Sequence, residues 1–420
     1  MNIHFPDRLR EPTPRLFLVV IVAGLIGGAI GAAYIGALHL LQRALWPTHW
    51  SLVPHGVILV AVGVSVVVLT KLLGTPGDVE LLVDNIHVSG GAEDLRRLPA
   101  LIPISLLCIS AGGGLGPEAP LVQTTGTFGS YVAHRFGLDA AGMRIVTITG
   151  MAAGFTVLFG APLGATVFAL EILHRRGLEY YEALMPGVLG ALTGYGVYVL
   201  ITRVGLQPVW HLPDTASMHA GDLLWAAGCG VVGAAVGAAF TYLNQFLRAV
   251  LRRIPTSLRP TLGGLALALL AWLSPYALTF GEAQLGHAAI ANLALRTLLL
   301  AAAAKLLASS VTLASGWKGG FIIPLFFVGM CLGRAGHMTF HHANEAVLIA
   351  ALMVACNVAV TKTPLGSVLV VTEMGGVHLL PTTLIAAVVS FVLTSNVHLI
   401  ESQRRRSDTM STASTEEEPA

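Results

Sequence analysis

Apolar segments that are broken by glycine and proline constrain the fold of this chain more than any other feature. Several of them, such as 98–111, 119–135 and 364–374, are shorter than the roughly 20 residues that a spanning helix needs. A helix that stops within a bilayer exposes backbone groups, which is tolerated only where protein buries them or a cavity is present. Because 55% of the residues are hydrophobic and only 11% are charged, the sequence predicts an all-α polytopic membrane protein whose binding region lies at the breaks.

One acidic side chain lies inside the glycine- and proline-rich segment 112–120. A carboxylate within a membrane is unfavourable unless it faces a polar cavity or pathway. Pro117 favours a helix that begins directly after it, with Glu118 in the first turn. The start of a helix attracts anions, and the carboxylate itself can occupy such a site. We therefore predict that Glu118 is a gate that competes with a permeant anion.

Two motifs occur twice, in the same order. The motif Pro-Leu-Gly with a glutamate nine positions after the proline begins at Pro162 and again at Pro364, and Gly-x-x-x-Pro-Leu begins at Gly116 and again at Gly320. The two offsets, 202 and 204 residues, nearly agree, which predicts two homologous halves with a site between them. The pattern itself leaves parallel and inverted repeats both open. The predicted divisions are an N-terminal segment 1–15, halves at 16–205 and 218–400, a linker at 206–217 and a disordered tail at 401–420.

Charge and motif content limit the other functions. Basic clusters flank the apolar runs, which predicts a multi-pass protein of the cell membrane with both termini in the cytoplasm. Nucleic-acid binding, a cofactor and a catalytic centre have no support, since the chain contains neither an HExxH motif nor a serine–histidine constellation of a recognisable hydrolase. The histidines His337, His341 and His342 have a spacing that allows a metal site, but an interfacial loop is the preferred interpretation.

At four places the chain resembles the CLC family of chloride channels and proton-coupled anion exchangers, over about residues 74–403. Segment 114–120 is similar to the family's GxGPEGP motif, with Ala119 in place of a glycine. Segment 159–164, followed by Glu171, is similar to FNAPLAG, and segment 319–324 is similar to GxFxP. Pro364 and Leu365, leading to Glu373, are similar to the late segment of the second half. Four motifs in family order are specific, whereas each alone is weak.

This resemblance implies two inverted repeats of broken, tilted helices, and a homodimer in the lipid bilayer with one pore per subunit. It implies transport of chloride, gated by Glu118 as the external glutamate and coupled to proton exchange. The alternative is a passive voltage- or pH-gated anion channel. The anion is expected at helix N-termini, with Gly320 and Phe321 supplying backbone N–H groups. The positions that match the family's anion sites are Pro76, Gly77, Gly116, Gly320, Phe321, Ile322 and Ile400.

The chain departs from the family pattern at the inner end of the pathway. Pro76 occupies the place of a serine in the first anion motif, or Thr75 does if the register slips by one residue. Ile400 occupies the place of the usual pore tyrosine. With Pro76 in the first of these places, both hydroxyl donors are missing, which predicts weaker anion binding by backbone dipoles alone. Proline in the serine position also suggests nitrate as an alternative to chloride.

The proton pathway departs from the pattern as well. The internal proton-transfer glutamate of the exchangers corresponds to Ile172, which cannot carry a proton. The preceding residue, Glu171, is a candidate substitute, with a structural role in capping or pairing as the alternative. Lys305, Lys318 and Lys362 lie in apolar sequence, where they either raise the local anion concentration, snorkel, or pair with Glu171 or Glu373.

Overall fold

The computed structural model describes residues 14–46, 51–77, 83–87, 90–91, 95–174, 179–204, 212–213, 218–281, 292–400 and 403. Most of the predicted N-terminal segment, linker and tail lies outside these ranges. The helices of the first half are α1 (Pro14–Leu45), α2 (Leu52–Leu73), α3 (Leu98–Ser110), α4 (Glu118–Arg135), α5 (Ala140–Phe159), α6 (Pro162–Glu171) and α7 (Leu184–Thr202). Those of the second half are α8 (Ala220–Leu251), α9 (Arg259–Leu273), α10 (Leu295–Ala314), α11 (Ile322–Thr339), α12 (Glu345–Thr361), α13 (Pro364–Gly375) and α14 (Leu380–Leu393).

The two halves repeat one arrangement of helices. Each begins with a 32-residue helix, α1 or α8, and the equivalent helices α4 and α11 both have 18 residues. α1 packs against α5 and α7, and α8 packs in the same way against α12 and α14. The two halves meet where α2 contacts α9 and α6 contacts α13. The end of α6 lies at the start of α13 and the end of α13 at the start of α6, so the repeat is inverted.

Small residues allow the long helices to approach closely. Gly24 and Gly28 of α1 face Gly190 and Gly194 of α7, and a Cβ on Gly28 would lie only 2.8 Å from the carbonyl carbon of Gly194. Such contacts replace the hydrophobic effect, which does not drive helix association inside a bilayer. Other large aliphatic side chains of these two helices, such as Leu18, Leu25 and Leu200, are exposed, as lipid-facing residues are.

Seven of the helices in the described residues are long and apolar enough to cross a membrane. α6 and α13 are much shorter, at 10 and 12 residues. A ten-residue helix extends about 15 Å, which is half of the hydrocarbon thickness. The predicted short helices are thus present, and their ends lie where the two halves meet.

Candidate anion pathway

Two glycine-containing loops, one from each half, meet between α4 and α11. The N–H of Gly116 donates to the carbonyl of Gly320 over 2.7 Å, and the N–H of Gly320 donates to the carbonyl of Gly116 over 2.6 Å. α4 begins two residues after Gly116, and α11 begins two residues after Gly320. The starts of two helices, whose first N–H groups have no partner within the helix, therefore lie on either side of one backbone bridge.

Glu118 lies at this meeting point. It is the first residue of α4, directly after Pro117, so the predicted helix start is confirmed. The side chain is fully buried, and its Oε1 accepts a hydrogen bond from the N–H of Ile323 in the first turn of α11. The partial positive charge of a helix start stabilises a carboxylate there. Glu118 thus occupies a place that also suits a small anion.

The bridge glycines leave room for this carboxylate. A Cβ on Gly116 would come within 2.7 Å of Oε1 of Glu118, and a Cβ on Gly320 would overlap Oε2. Real Cβ atoms do not approach other heavy atoms so closely. Any larger residue at either position would therefore displace the Glu118 carboxylate or the loop itself.

Side chains of α10 hold the loop before Glu118 in place. The Ser309 hydroxyl donates to the carbonyl of Gly114 over 2.6 Å. One turn earlier on α10, Lys305 Nζ donates to the carbonyls of Leu278 and Thr279 over 2.7 and 2.5 Å. The N–H of Thr279 in turn donates to the carbonyl of Gly112 over 2.9 Å. The segment around residue 279 thus connects α10 to the Glu118 loop through hydrogen bonds on both sides.

Of the alternatives for the buried lysines, pairing with Glu171 or Glu373 is wrong for Lys305 and Lys362. Lys305 Nζ donates to the backbone carbonyls of Ala277, Leu278 and Thr279 and lies 5.3 Å from the centre of the Phe327 ring. Lys362 Nζ donates to the carbonyls of Ala359 and Thr394, both over 2.6 Å. Several carbonyl oxygens of a nearby helix end or loop surround each ammonium group. Because an ammonium group has three N–H donors, it can bind several carbonyls at once.

Glu171 and Glu373 bind the opposite half instead. Glu171 accepts hydrogen bonds from the N–H groups of Leu365, over 3.2 Å, and Gly366, over 2.7 Å, at the start of α13. Glu373 accepts one from the N–H of Gly164, over 2.9 Å, at the start of α6. Each carboxylate therefore caps the first turn of its symmetry-related helix. For Glu171 this is the capping alternative that the sequence had left open.

A cavity of about 240 Å³ lies beside the bridge. Several of the sequence-predicted anion residues line it, namely Gly77, Phe321 and Ile400. Three polar side chains that the sequence had not singled out as anion ligands line it too, namely Gln123, Arg248 and Lys318. The described part of its wall is therefore electropositive, which suits an anion in transit.

The remaining predicted positions lie around this cavity or at the bridge. Gly77 is buried and packs on the amide of Gln123, whereas Pro76 is half-buried and Thr75 is exposed. The expectation for Gly320 needs correction, because its N–H donates to Gly116 and is used in the bridge. Phe321 is the N-cap of α11, and Ile322 is its first residue.

Two supporting residues escaped the sequence reasoning. Asn357 of α12 donates its side-chain N–H to the carbonyl of Ile322 over 3.0 Å and so fixes the start of α11. Ser309 fixes the Glu118 loop. A lone asparagine in an otherwise apolar helix is the one signal that could have revealed the first of them, since a polar side chain in a membrane needs a partner.

Comparison with known proteins agrees with this architecture. The family model for voltage gated chloride channels matches residues 77–395. A chloride/fluoride channel protein of Pseudomonas syringae pv. tomato is 27% identical over 413 residues, covering 95% of this chain and 89% of that protein. A voltage-gated ClC-type chloride channel, ClcB, of Salmonella dublin is 30% identical over 310 residues, covering 69% of this chain and 70% of that protein.

Solved structures have the same fold. A CLC-type fluoride/proton antiporter superposes with a TM-score of 0.79 at 24% identity, covering 93% of this chain and 97% of the other. A slow cyanobacterial chloride/proton antiporter superposes with a TM-score of 0.81 at 20% identity, covering 97% and 100%. At these identities the likeness is one of fold, and the family match rests on the sequence. The chain therefore belongs to the CLC family of voltage-gated chloride channels.

Proposed function

We propose that Glu118 gates the CLC-type anion transport of this chain by competing with the anion for the start of α11. One observation carries the proposal, namely the hydrogen bond from the N–H of Ile323 to the buried Glu118 carboxylate. A carboxylate and a halide are both acceptors that a helix start stabilises. When Glu118 is protonated, its attraction to this N–H weakens and the anion can take its place.

The anion carried is chloride, with nitrate as an accepted alternative. Support comes from the electropositive cavity beside the bridge and from the lack of a hydroxyl group at Pro76 and Ile400. Without a side-chain donor of fixed geometry, selectivity among small monovalent anions is expected to be low. Fluoride belongs in the same test, because the relative in Pseudomonas syringae is named a chloride/fluoride channel protein.

Transport is coupled to proton exchange, with a passive channel as the second candidate. Two structural neighbours are antiporters that exchange fluoride or chloride for protons. Ile172, in the position of the internal proton glutamate, is the specific observation that favours the channel. The protein acts as a homodimer in the cell membrane with both termini in the cytoplasm.

A flux assay with purified protein in liposomes tests these statements. Efflux of chloride, nitrate and fluoride is measured while external pH is recorded. Protons driven against their gradient by an anion gradient would establish exchange. Rapid anion flux without proton movement would establish the channel. Failure to move any of the three anions would contradict anion transport itself.

The role of Glu118 is tested by Glu118→Ala. We expect faster anion flux that no longer depends on pH, together with loss of proton movement. The matched control is Glu345→Ala, because Glu345 is also the first residue of a helix but pairs with Arg334 at 2.7 Å and does not line the cavity. Unchanged pH dependence in Glu118→Ala would show that Glu118 is not the gate.

A further inference from the structure

A proton that exchanges for an anion needs an acceptor on the side of the protein away from Glu118. Neither sequence candidate is suited to this task. Ile172 is 3% exposed and has no titratable group. Both oxygens of Glu171 are used in capping α13. Three residues beyond Glu171, however, the chain leads into a buried group of titratable side chains that neither the gate nor the cavity uses.

His174 is at the centre of this group and is 1% exposed. The backbone N–H of His174 donates to the carbonyl of Glu171 over 2.9 Å. Its Nδ1 lies 3.0 Å from the carbonyl of Leu170 and must donate to it, since a carbonyl only accepts. In the neutral ring Nε2 is then the basic nitrogen, and it faces Oε2 of Glu179 at 3.7 Å. A proton taken up at Nε2 would therefore be stabilised by a carboxylate.

The rings of His87 and Tyr180 pack against the ring of His174. The His87 ring lies edge-on to the His174 ring, with 5.3 Å between centroids. Its Nε2 donates to the carbonyl of Leu173 over 2.8 Å, so that Nδ1 of the neutral ring accepts from the Tyr180 hydroxyl over 2.9 Å. Both nitrogens of His87 thus have a fixed role, whereas Nε2 of His174 faces an acid.

The other charges near the group favour a proton on His174 over one on His87. The Arg144 guanidinium lies 4.8 Å from the centre of the Tyr180 ring, and its Nε donates to the carbonyl of Ile86. This positive charge opposes a second one on His87, which is bonded to the same tyrosine. Glu179 favours a positive charge on His174. The Glu179 side chain is 27% exposed, so it connects the group to water. Arg175 and Arg176, which follow His174 in sequence, lie outside the described residues.

We propose that His174 is the internal proton acceptor of this exchanger, in the role that Ile172 cannot fill. Water near Glu179 delivers a proton to Nε2, giving an imidazolium paired with that carboxylate. The same nitrogen later releases the proton to water on the path toward Glu118, and the ring returns to its neutral form. One proton enters and one leaves. This proposal rests on the exchange form of the proposed function.

An apolar aromatic contact connects α6, the helix that leads to His174, with α11, whose first turn binds Glu118. Phe159 packs on Phe168 of α6 at 6.2 Å between centroids and on Phe326 of α11 at 6.1 Å. A proton can cross such a contact only through transient water, because phenylalanine has no group that binds it. Proton transfer is therefore expected to be slow relative to anion movement, and removal of the acceptor should affect protons first.

The test is His174→Asn in the liposome assay, with chloride and proton fluxes recorded together. The asparagine amide can keep the bond to Leu170 while the basic nitrogen is lost. We expect proton movement to fall by about tenfold or more, with chloride flux changed by less than about twofold. His174→Glu should restore proton movement, since a carboxyl group also binds a proton.

The matched control is His337→Asn. His337 donates from Nδ1 to the carbonyl of Ala343 over 2.9 Å, and its Nε2 lies 3.9 Å from Oε2 of Glu345. The pair thus resembles His174 and Glu179 in its bonding at both ring nitrogens, but it lies in the other half, and its histidine is 27% exposed rather than buried. Proton movement in this control should equal that of the wild type, whereas equal losses in both variants would overturn the proposal.

A second variant covers the case in which His174→Asn does not fold. Glu179→Gln changes a partly exposed side chain and removes the charge opposite Nε2. It should shift the pH dependence of proton movement to lower pH and leave chloride flux intact, and an unchanged pH profile would overturn the proposal. Wild-type chloride flux without proton movement would also overturn it while leaving anion transport in place. Absence of anion flux would instead refute the proposed function.

Discussion

A single methyl group at Gly320 should open the gate. The Cβ of Gly320→Ala would overlap Oε2 of Glu118 and would lie 3.0 Å from the N atom of Ala119 and 3.1 Å from Glu118 Cβ. The backbone at Gly320 does not have a positive φ, so alanine can adopt its conformation. The flexible carboxyl end of Glu118 is the neighbour that can move, and we expect it to leave the start of α11.

The size of the effect follows from the crowding. Overpacking a close-packed site costs about 1–3 kcal/mol. We call Glu118 docked when its carboxylate binds the start of α11. If the strain acts only on this state, the ratio of docked to displaced Glu118 falls by about 5- to 150-fold. Chloride efflux from liposomes at neutral pH should therefore rise from the wild-type rate toward the rate of Glu118→Ala.

Two comparisons make this prediction refutable. Gly228→Ala, at a helix position with open space around the new Cβ, should leave efflux unchanged. In the Glu118→Ala background, Gly320→Ala should change efflux by less than about twofold, because the clashing oxygen is gone. Slower efflux in both backgrounds would mean that the methyl group blocks the anion itself. Unchanged efflux from folded Gly320→Ala protein would refute the claim that Glu118, bound at the start of α11, limits anion flux.

The remaining predictions concern the caps, the buried lysine and the inner cavity. Glu171→Leu removes two hydrogen bonds to a carboxylate and should lower the free energy of unfolding by about 2–4 kcal/mol; an unchanged melting temperature in detergent would contradict the cap. Lys305→Met leaves the buried carbonyls of Leu278 and Thr279 without their ammonium donor and should destabilise by about 1–3 kcal/mol, measured in the same way. Ile400→Tyr should tighten chloride binding by about 1 kcal/mol in calorimetry if its hydroxyl reaches an anion in the cavity.

Local features of this protein could be predicted from its sequence. The start of α4 at Glu118 follows from Pro117, which fixes its own backbone angle and lacks an N–H. The two halves follow from repeated glycine and proline motifs, because such residues mark helix breaks wherever they occur. The short helices α6 and α13 were visible for the same reason.

Contacts between distant segments could not be predicted in this way. The N–H of Gly320 was expected to face an anion, but it is used in a bridge with a loop 204 positions earlier in the sequence. Arg248 lines the cavity together with Phe321 of the second-half motif, against which Phe240 of α8 packs. His87 and His174 meet although 87 positions separate them. Periodicity and motif spacing carry no information about such pairings, which depend on how helices pack in three dimensions.

The exchanged caps of α6 and α13 have a consequence for biosynthesis. The Glu171 carboxylate finds its partners at Leu365 and Gly366, 194 and 195 positions later in the chain. While the first half is being inserted, those N–H groups have not been made, and the carboxyl group sits at a helix end without its donors. The first half therefore lacks these two hydrogen bonds until the second half has been synthesised and inserted. A chain that is truncated before residue 364 should be recognised by quality-control proteases rather than accumulate as a stable half.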